Sequence, residues 1–187
     1  MAFALSAVME DEVAVQTIDF ASVFRDHFDF VWRSARRLGV RAGSIDDVVQ
    51  EVFLVVHRRL GDFEGRSSLK SWVYGITVRV VRNHQRTLRW KPEDALPIVL
   101  HDEHARSQHE TMERTQAAEA LLVFLEALPE ERREIFVMVD LEQESVADAA
   151  IALEINVNTA HARLRSARGD FENFVKRYRA QESRRPL

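Results

Sequence analysis

From Ser44 to Leu60 the chain reads SIDDVVQEVFLVVHRRL. At about 100° per residue its apolar positions, Ile45, Val48, Val49, Val52, Phe53, Val55, Val56 and Leu60, gather on one broad arc of a helix. Asp46, Asp47, Gln50, Glu51, His57 and Arg58 fill the other side. Leu54 breaks the pattern. It falls in the middle of the polar side, three residues after Glu51 and four after Gln50, so it touches both.

The same periodicity organises the rest of the chain. Phe20, Val23, Phe24, His27, Phe28, Val31, Ala35 and Leu38 recur at helical spacing, and Gly39 stops that helix. Ser44 with Asp47 reads as a capping pair for the stretch above. GDFEGRSS is a turn-rich loop, followed by a helix from about Leu69 to Trp90 that Pro92 ends. Residues 92–109 lose periodicity and gain Pro, Asp and His, which marks a linker and a domain boundary. Ala117, Ala118, Leu121, Leu122, Phe124, Leu125 and Leu128 then share a face. Pro129 fits the first turn of a helix carrying Ile135, Phe136 and Val139. Ser145 with Asp148 caps a short helix VADAAIAL; a turn, EIN, leads into a long helix from about Asn158. No strand signal of any strength and no internal repeat appear. The expected architecture is all-α, with a tail over 1–19, helical domains over 20–91 and 110–180, and a short tail over 181–187.

Composition excludes more than it assigns. The 187 residues hold no cysteine, so disulfides and thiolate zinc sites are out and a reducing cytoplasm fits. No apolar run approaches the roughly 20 residues of a membrane span, and MAFALSAVMEDEV lacks the positive flank of a signal peptide. Net charge is only −4, but its distribution is uneven. Residues 58–91 carry nine Lys/Arg against two acids, 92–154 sixteen acids against four Arg, and 155–187 eight Lys/Arg against three acids. Two basic blocks flank an acidic one.

Within the first basic block Arg79, Arg82, Arg86 and Arg89 lie three, four and three residues apart, within an arc of about 80°. Trp72 and Gly75 project on the same side. An arginine stripe tracks phosphates, a glycine lets a backbone come close, and an aromatic stacks on an unpaired base. The alternative is a solvated arginine face with Trp72 half in the core. In the last block, a short capped helix, a tight turn and a long basic helix have helix-turn-helix geometry, with Arg163, Arg165 and Arg168 facing out. His101, His104 and His109 lack the i, i+4 spacing of helical zinc sites and read as polar linker. With no nucleophile–base pair, phosphate-cradling loop or paired-carboxylate cleft, neither an enzyme nor a cofactor is expected.

Two stretches resemble a known family. IDDVVQEVFLVVHRRLGDFEGRSSLKSWVYGI is similar to the second conserved region of bacterial extracytoplasmic-function (ECF) sigma factors. LPEERREIFVMVDLEQESVADAAIALEINVNTAHARLRSAR is similar to their fourth region. The resemblance implies that Asp46, Asp47, Gln50 and Glu51 make polar contacts, around an apolar anchor at Leu54, to the clamp helices of the polymerase's largest subunit. It implies that the loop and following helix, with Phe63, Arg66, Ser67, Ser68, Trp72, Gly75, Arg79, Arg82, Arg86 and Arg89, melt the minus-ten element and hold a flipped base. It further implies that Asn158, Thr159, His161, Ala162, Arg163, Arg165, Ser166 and Arg168 read the minus-thirty-five element. The partners so implied are core RNA polymerase (the flap of its second-largest subunit included), promoter DNA and an anti-sigma factor, in the cytoplasm and without membrane insertion. The other reading is a sigma-like protein that only occupies an anti-sigma factor. The chain departs from the family pattern at Arg79, where Asn is common, and at Glu154, which replaces a turn Gly. Ala160 stands for Val, and His161 and Ser166 stand where basic residues are common.

Overall fold

The computed structural model describes residues 18–90 and 108–182, and every regular element among them is helical. Residues 1–17 of the tail expected over 1–19 and most of the linker, with His101 and His104, lie outside the described residues, as do the side chains of Arg89 and His109.

Helices α1 (Phe20–Arg37), α2 (Ile45–Arg59) and α3 (Leu69–Trp90) form a first bundle. Asp19 caps α1 by accepting from the Ser22 N–H at 3.2 Å, and Arg36 and Arg37 in the last turn complement the helix dipole. Gly39, at φ 95°, turns the chain away. The buried face of α1 is rotated from the expected one. Val23, Phe30, Val31, Ser34 and Ala35 are buried, whereas Phe24 and Phe28 are 41% and 37% exposed. The cause is that α1 packs on both α2 and α3. Its interior arc therefore centres on Phe30 and Val31, and Phe24 and Phe28 lean on Phe53 from the rim at ring distances of 4.7 and 6.2 Å.

On α2 the apolar arc is buried through Ile45, Val48, Val49, Val52, Phe53 and Val56. The Ser44–Asp47 capping pair does not form. A 3-10 turn, Ala42–Ser44, runs straight into the helix and leaves Ser44 at φ −117°, ψ 1°, outside the extended conformation a capping side chain needs. At α3 a serine does cap: Ser68 Oγ accepts from the Ser71 N–H at 3.0 Å.

Helices α4 (Gln108–Ala127), α5 (Glu130–Phe136), α6 (Val146–Ala152) and α7 (Val157–Glu182) form a second bundle. Its core holds Phe124, Leu125, Leu128, Ile135, Phe136, Ala149, Ala160 and Leu164. Ala117 and Ala118, expected on the packed face of α4, are exposed, because this core reaches only the C-terminal end of that helix. Pro129 takes the N-cap of α5, one position earlier than its sequence suggests. A π-helical stretch, Val137–Leu141, unforeseen from the sequence, prolongs α5. Ser145 caps α6 as expected, accepting from the Asp148 N–H at 3.0 Å. The turn into α7 places Glu154 at φ 55°, a left-handed conformation that favours glycine.

The two bundles pack against each other through α3 and α6. Gly75 makes this contact possible: a Cβ there would stand 2.6 Å from the Ala152 carbonyl oxygen. Beside it the fully buried Tyr74 donates its hydroxyl to the Glu134 carbonyl at 2.8 Å.

Candidate functional site

The polar face of α2 is an open surface. Asp46, Asp47, Gln50 and Glu51 are all exposed, and Leu54 among them is 56% exposed with its β-branched and aromatic neighbours buried beneath. Helix α2 needs only its arc for the core, so Leu54 is free for another contact. An apolar centre in a polar rim is the ordinary anatomy of a protein interface.

The loop after α2 and the first turns of α3 border a cleft of about 540 Å³. Gly65 bends the loop at φ 69°. Phe63 and Trp72 meet at 5.5 Å between ring centroids, and Arg59, Arg66, Ser67, Gly75 and Arg79 line this side together with Gly61, Asp62 and Glu64, the last paired with Arg66 at 2.9 Å. Trp72 is half-buried against the core, yet its other side lines the cleft. An aromatic pair flanked by guanidinium groups suits a stacked, unpaired nucleotide. The opposite wall is Ile151, Ala152 and Glu154 of the second bundle.

The arginine stripe is divided by that bundle. Arg79 pairs with Glu154 at 2.5 Å. Arg82 holds both oxygens of Glu134 at 2.6 Å and reaches Glu130 at 3.3 Å. Hydrogen bonding to Glu134 raises the Arg82 pKa, while burial pushes the Glu134 carboxyl above its ordinary range despite that bond. Arg86 stays exposed, beside Asn83. Ser68 donates to Glu144 at 2.9 Å, so the loop is tied across as well.

On α7 the residues Asn158, Thr159, His161, Ala162, Arg165 and Ser166 line an exposed front. Arg165 has no acid partner among the described residues. Arg163 is drawn to Glu131 at 2.9 Å, and Arg168 forks onto Asp140 at 2.7–3.2 Å. Asp140 belongs to the π-helical stretch.

The sequence reading missed the acids that meet the first bundle. Glu142, 8% exposed, receives Arg37, with Arg33 at 3.9 Å and Lys70 at 3.8 Å. Glu144 takes hydrogen bonds from Ser68 and Ser71 and an ion pair from Lys70 at 3.3 Å. Burial alone would raise its carboxyl pKa; those contacts outweigh burial and hold it below the ordinary value. The signal for these acids was present as the opposite charges of residues 58–91 and 92–154.

Comparison with known proteins accounts for both bundles. Residues 23–91 match the model of Sigma-70 region 2, and residues 118–170 that of Sigma-70, region 4. The chain is 30% identical to the ECF RNA polymerase sigma factor SigM of Mycobacterium tuberculosis, over 83% of this chain and 76% of that one. It is 28% identical to the ECF RNA polymerase sigma-E factor of Escherichia coli, over 73% and 76% of the two chains. Among solved structures it shares its fold with the sigma factor RpoE from Bartonella quintana, in complex with the anti-sigma factor NepR. There the TM-score is 0.66 at 18% identity, covering 84% of this chain and 97% of that one. With both regions present in order and a relative at this level of identity, the chain belongs to the ECF family of RNA polymerase sigma factors, initiation factors that are not themselves enzymes.

Proposed function

We propose that three surfaces divide the work of a sigma factor in this chain. The α2 face, with Asp46, Asp47, Gln50, Glu51 and Leu54, docks on the clamp helices of the polymerase's largest subunit. The loop and α3, with Phe63, Arg66, Ser67, Ser68, Trp72, Gly75, Arg79, Arg82, Arg86 and Arg89, take up the melted minus-ten strand and stack one base against Trp72. The α7 front, with Asn158, Thr159, His161, Ala162 and Arg165, reads the minus-thirty-five element. Ser166 belongs to the same front, Arg163 and Arg168 face the DNA backbone, and the second bundle meets the flap of the second-largest subunit. The protein works in the cytoplasm, and an anti-sigma factor is the natural antagonist.

The observation that carries this reading is the cleft beside the Phe63–Trp72 pair, with guanidinium groups at its edge. It is tested by promoter opening, followed as permanganate reactivity of unpaired thymines, with Trp72→Ala holoenzyme. Opening should fall more than closed-complex affinity does. Unfolding of the variant would return Trp72 to a purely structural role, and unchanged opening would remove it from the minus-ten site.

A further inference from the structure

Every large hydrophobic side chain that the described part of the first bundle leaves exposed, Ile18, Phe24, Phe28 and Leu54, lies toward one face. We propose that the chain covers this face itself. Residues 1–17, the segment that leads into Ile18, fold back over it in cis and must leave before core polymerase docks. The inference rests on the reading of the α2 face as the polymerase-docking surface.

Phe24 meets Phe28 at 5.4 Å and Phe53 at 4.7 Å between ring centroids, so the rings form one strip between α1 and α2. Phe20 extends it, 6.2 Å from Phe24 and 4.7 Å from the His57 ring. On the α2 wheel His57 stands about 40° from Phe53 and about 60° from Leu54, and so joins the rings to the leucine. The chain reaches this strip at its Phe20–His57 end, through an Ile18 that is 39% exposed. A continuous apolar strip with a polar rim marks a site of contact rather than an ordinary solvated face.

The segment has the composition and charge to fit. It reads MAFALSAVMEDEVAVQT, with Phe3, Leu5, Val8 and Met9 ahead of an acidic run, Glu10, Asp11 and Glu12, and no Lys, Arg or His. The end of the strip where the chain enters is cationic: His57, Arg58 and Arg59 are exposed in the last turn of α2. Arg58 donates to the Leu54 carbonyl at 3.2 Å and has no carboxylate partner among the described residues, and Arg59 has only Asp62, at 3.9 Å. The acids of α2, Asp46, Asp47 and Glu51, lie toward its other end. Charge therefore sets the direction. The acidic run rests by Arg58 and Arg59, and the apolar residues beyond it lie on Phe24, Phe28 and Leu54. Length permits this path, because Phe20 to Phe28 is about 12 Å of helix, whereas the stretch from Met9 to Ile18 spans up to about 30 Å when extended. A tethered segment acts at an effective concentration on the order of millimolar, so modest apolar contacts suffice to hold it.

The chain has no cysteine, so Ser6→Cys carries a single nitroxide within the segment. Paramagnetic broadening of backbone amide signals is read on the isotope-labelled 187-residue chain at about 50 mM salt, where screening is weak. The amides of Phe24, Phe28 and Leu54 should broaden, and those of Val123 and Val157 in the second bundle should not. Isotope-labelled chain without the cysteine, mixed with unlabelled nitroxide chain, should show no broadening. Phe3→Ser, Leu5→Ser, Val8→Ser and Met9→Ser together touch no residue of the described core. Core polymerase binding should tighten about tenfold in that variant if the face is covered about nine-tenths of the time, since apparent affinity scales with the competent fraction. Deletion of residues 2–15 should do the same. Broadening in the mixed sample gives the face to a second copy and overturns the cis cover. Uniform broadening, or none at Phe24, Phe28 and Leu54, overturns it as well. Broadening without tighter polymerase binding overturns the competition. If Leu54→Asp leaves polymerase affinity unchanged, the docking reading of the α2 face falls, while the broadening still decides where the segment lies.

Discussion

Leu54 and Gly75 were both conspicuous in the sequence, and the structure gives them different uses. Leu54 stood out as a leucine on a polar arc, and it is 56% exposed on the folded protein. Because it supports no core, Leu54→Asp should leave helical content unchanged while weakening core polymerase binding. Removing a central interface contact costs about 2 kcal/mol or more, on the order of thirtyfold in affinity. Titration of labelled variant against core polymerase reads this directly, and equal affinity would detach Leu54 from the interface. Gly75 stood out as a glycine inside a helix, a sign that some backbone comes close. The backbone that does so is that of Ala152. Gly75→Ala should therefore push α6 off α3, destabilising the packed protein by roughly 1–3 kcal/mol as overpacking does. Denaturant unfolding checks it, and unchanged stability would mean that the α3–α6 contact is not held in solution. Phe24 and Phe28 were misplaced for a simple reason: helical spacing alone cannot say which side of a broad apolar arc meets two neighbours at once.

The element least visible from sequence is the π-helical stretch Val137–Leu141. Its residues are apolar apart from Asp140, and nothing in their order announces an i→i+5 turn. Yet it ends where the chain delivers Glu142 and Glu144 to the first bundle, and it holds Asp140 against Arg168. Arg165 and Arg168 are thus distinguished by their surroundings. Arg165→Ala should relax preference at one minus-thirty-five position, since a bidentate arginine–guanine contact is worth about 1–3 kcal/mol. Arg168→Ala should weaken all promoters alike, and run-off transcription on a library randomised at that element separates the two. The acids on either side of this element, Glu134 before it and Glu144 after it, also set a pH response. The folded pKa of Glu144 is depressed, so its contribution to stability is full above the ordinary carboxylate value of 4.5 and is lost as pH falls through the lower folded value. Glu134 is shifted upward, so it acts in the opposite sense, lowering stability as pH rises from the ordinary value through its folded one. Carboxyl-carbon NMR titration should find Glu144 below and Glu134 above the remaining glutamates; the reverse order would contradict the contacts described for both.

Over the whole molecule, helix positions and the two family regions were legible because hydrophobic period and motif spacing are local properties of the chain. The packing of one bundle on the other was not. It depends on which of many surface charges meet after folding, and only the alternation of basic and acidic blocks hinted at it. Two of the arginines read as a DNA stripe, Arg79 and Arg82, are covered by Glu154 and by Glu134 with Glu130, and both facts belong to one proposal: the α3 face would hold acid of its own chain when free and promoter DNA when at work. The most direct test follows a dye pair on Asp26→Cys and Glu172→Cys from free chain to core-bound holoenzyme to promoter complex. The account predicts a short distance in the free chain and a long one in the promoter complex, with Arg79 and Arg82 then protected by DNA. A distance that stays short in a transcribing complex would contradict it.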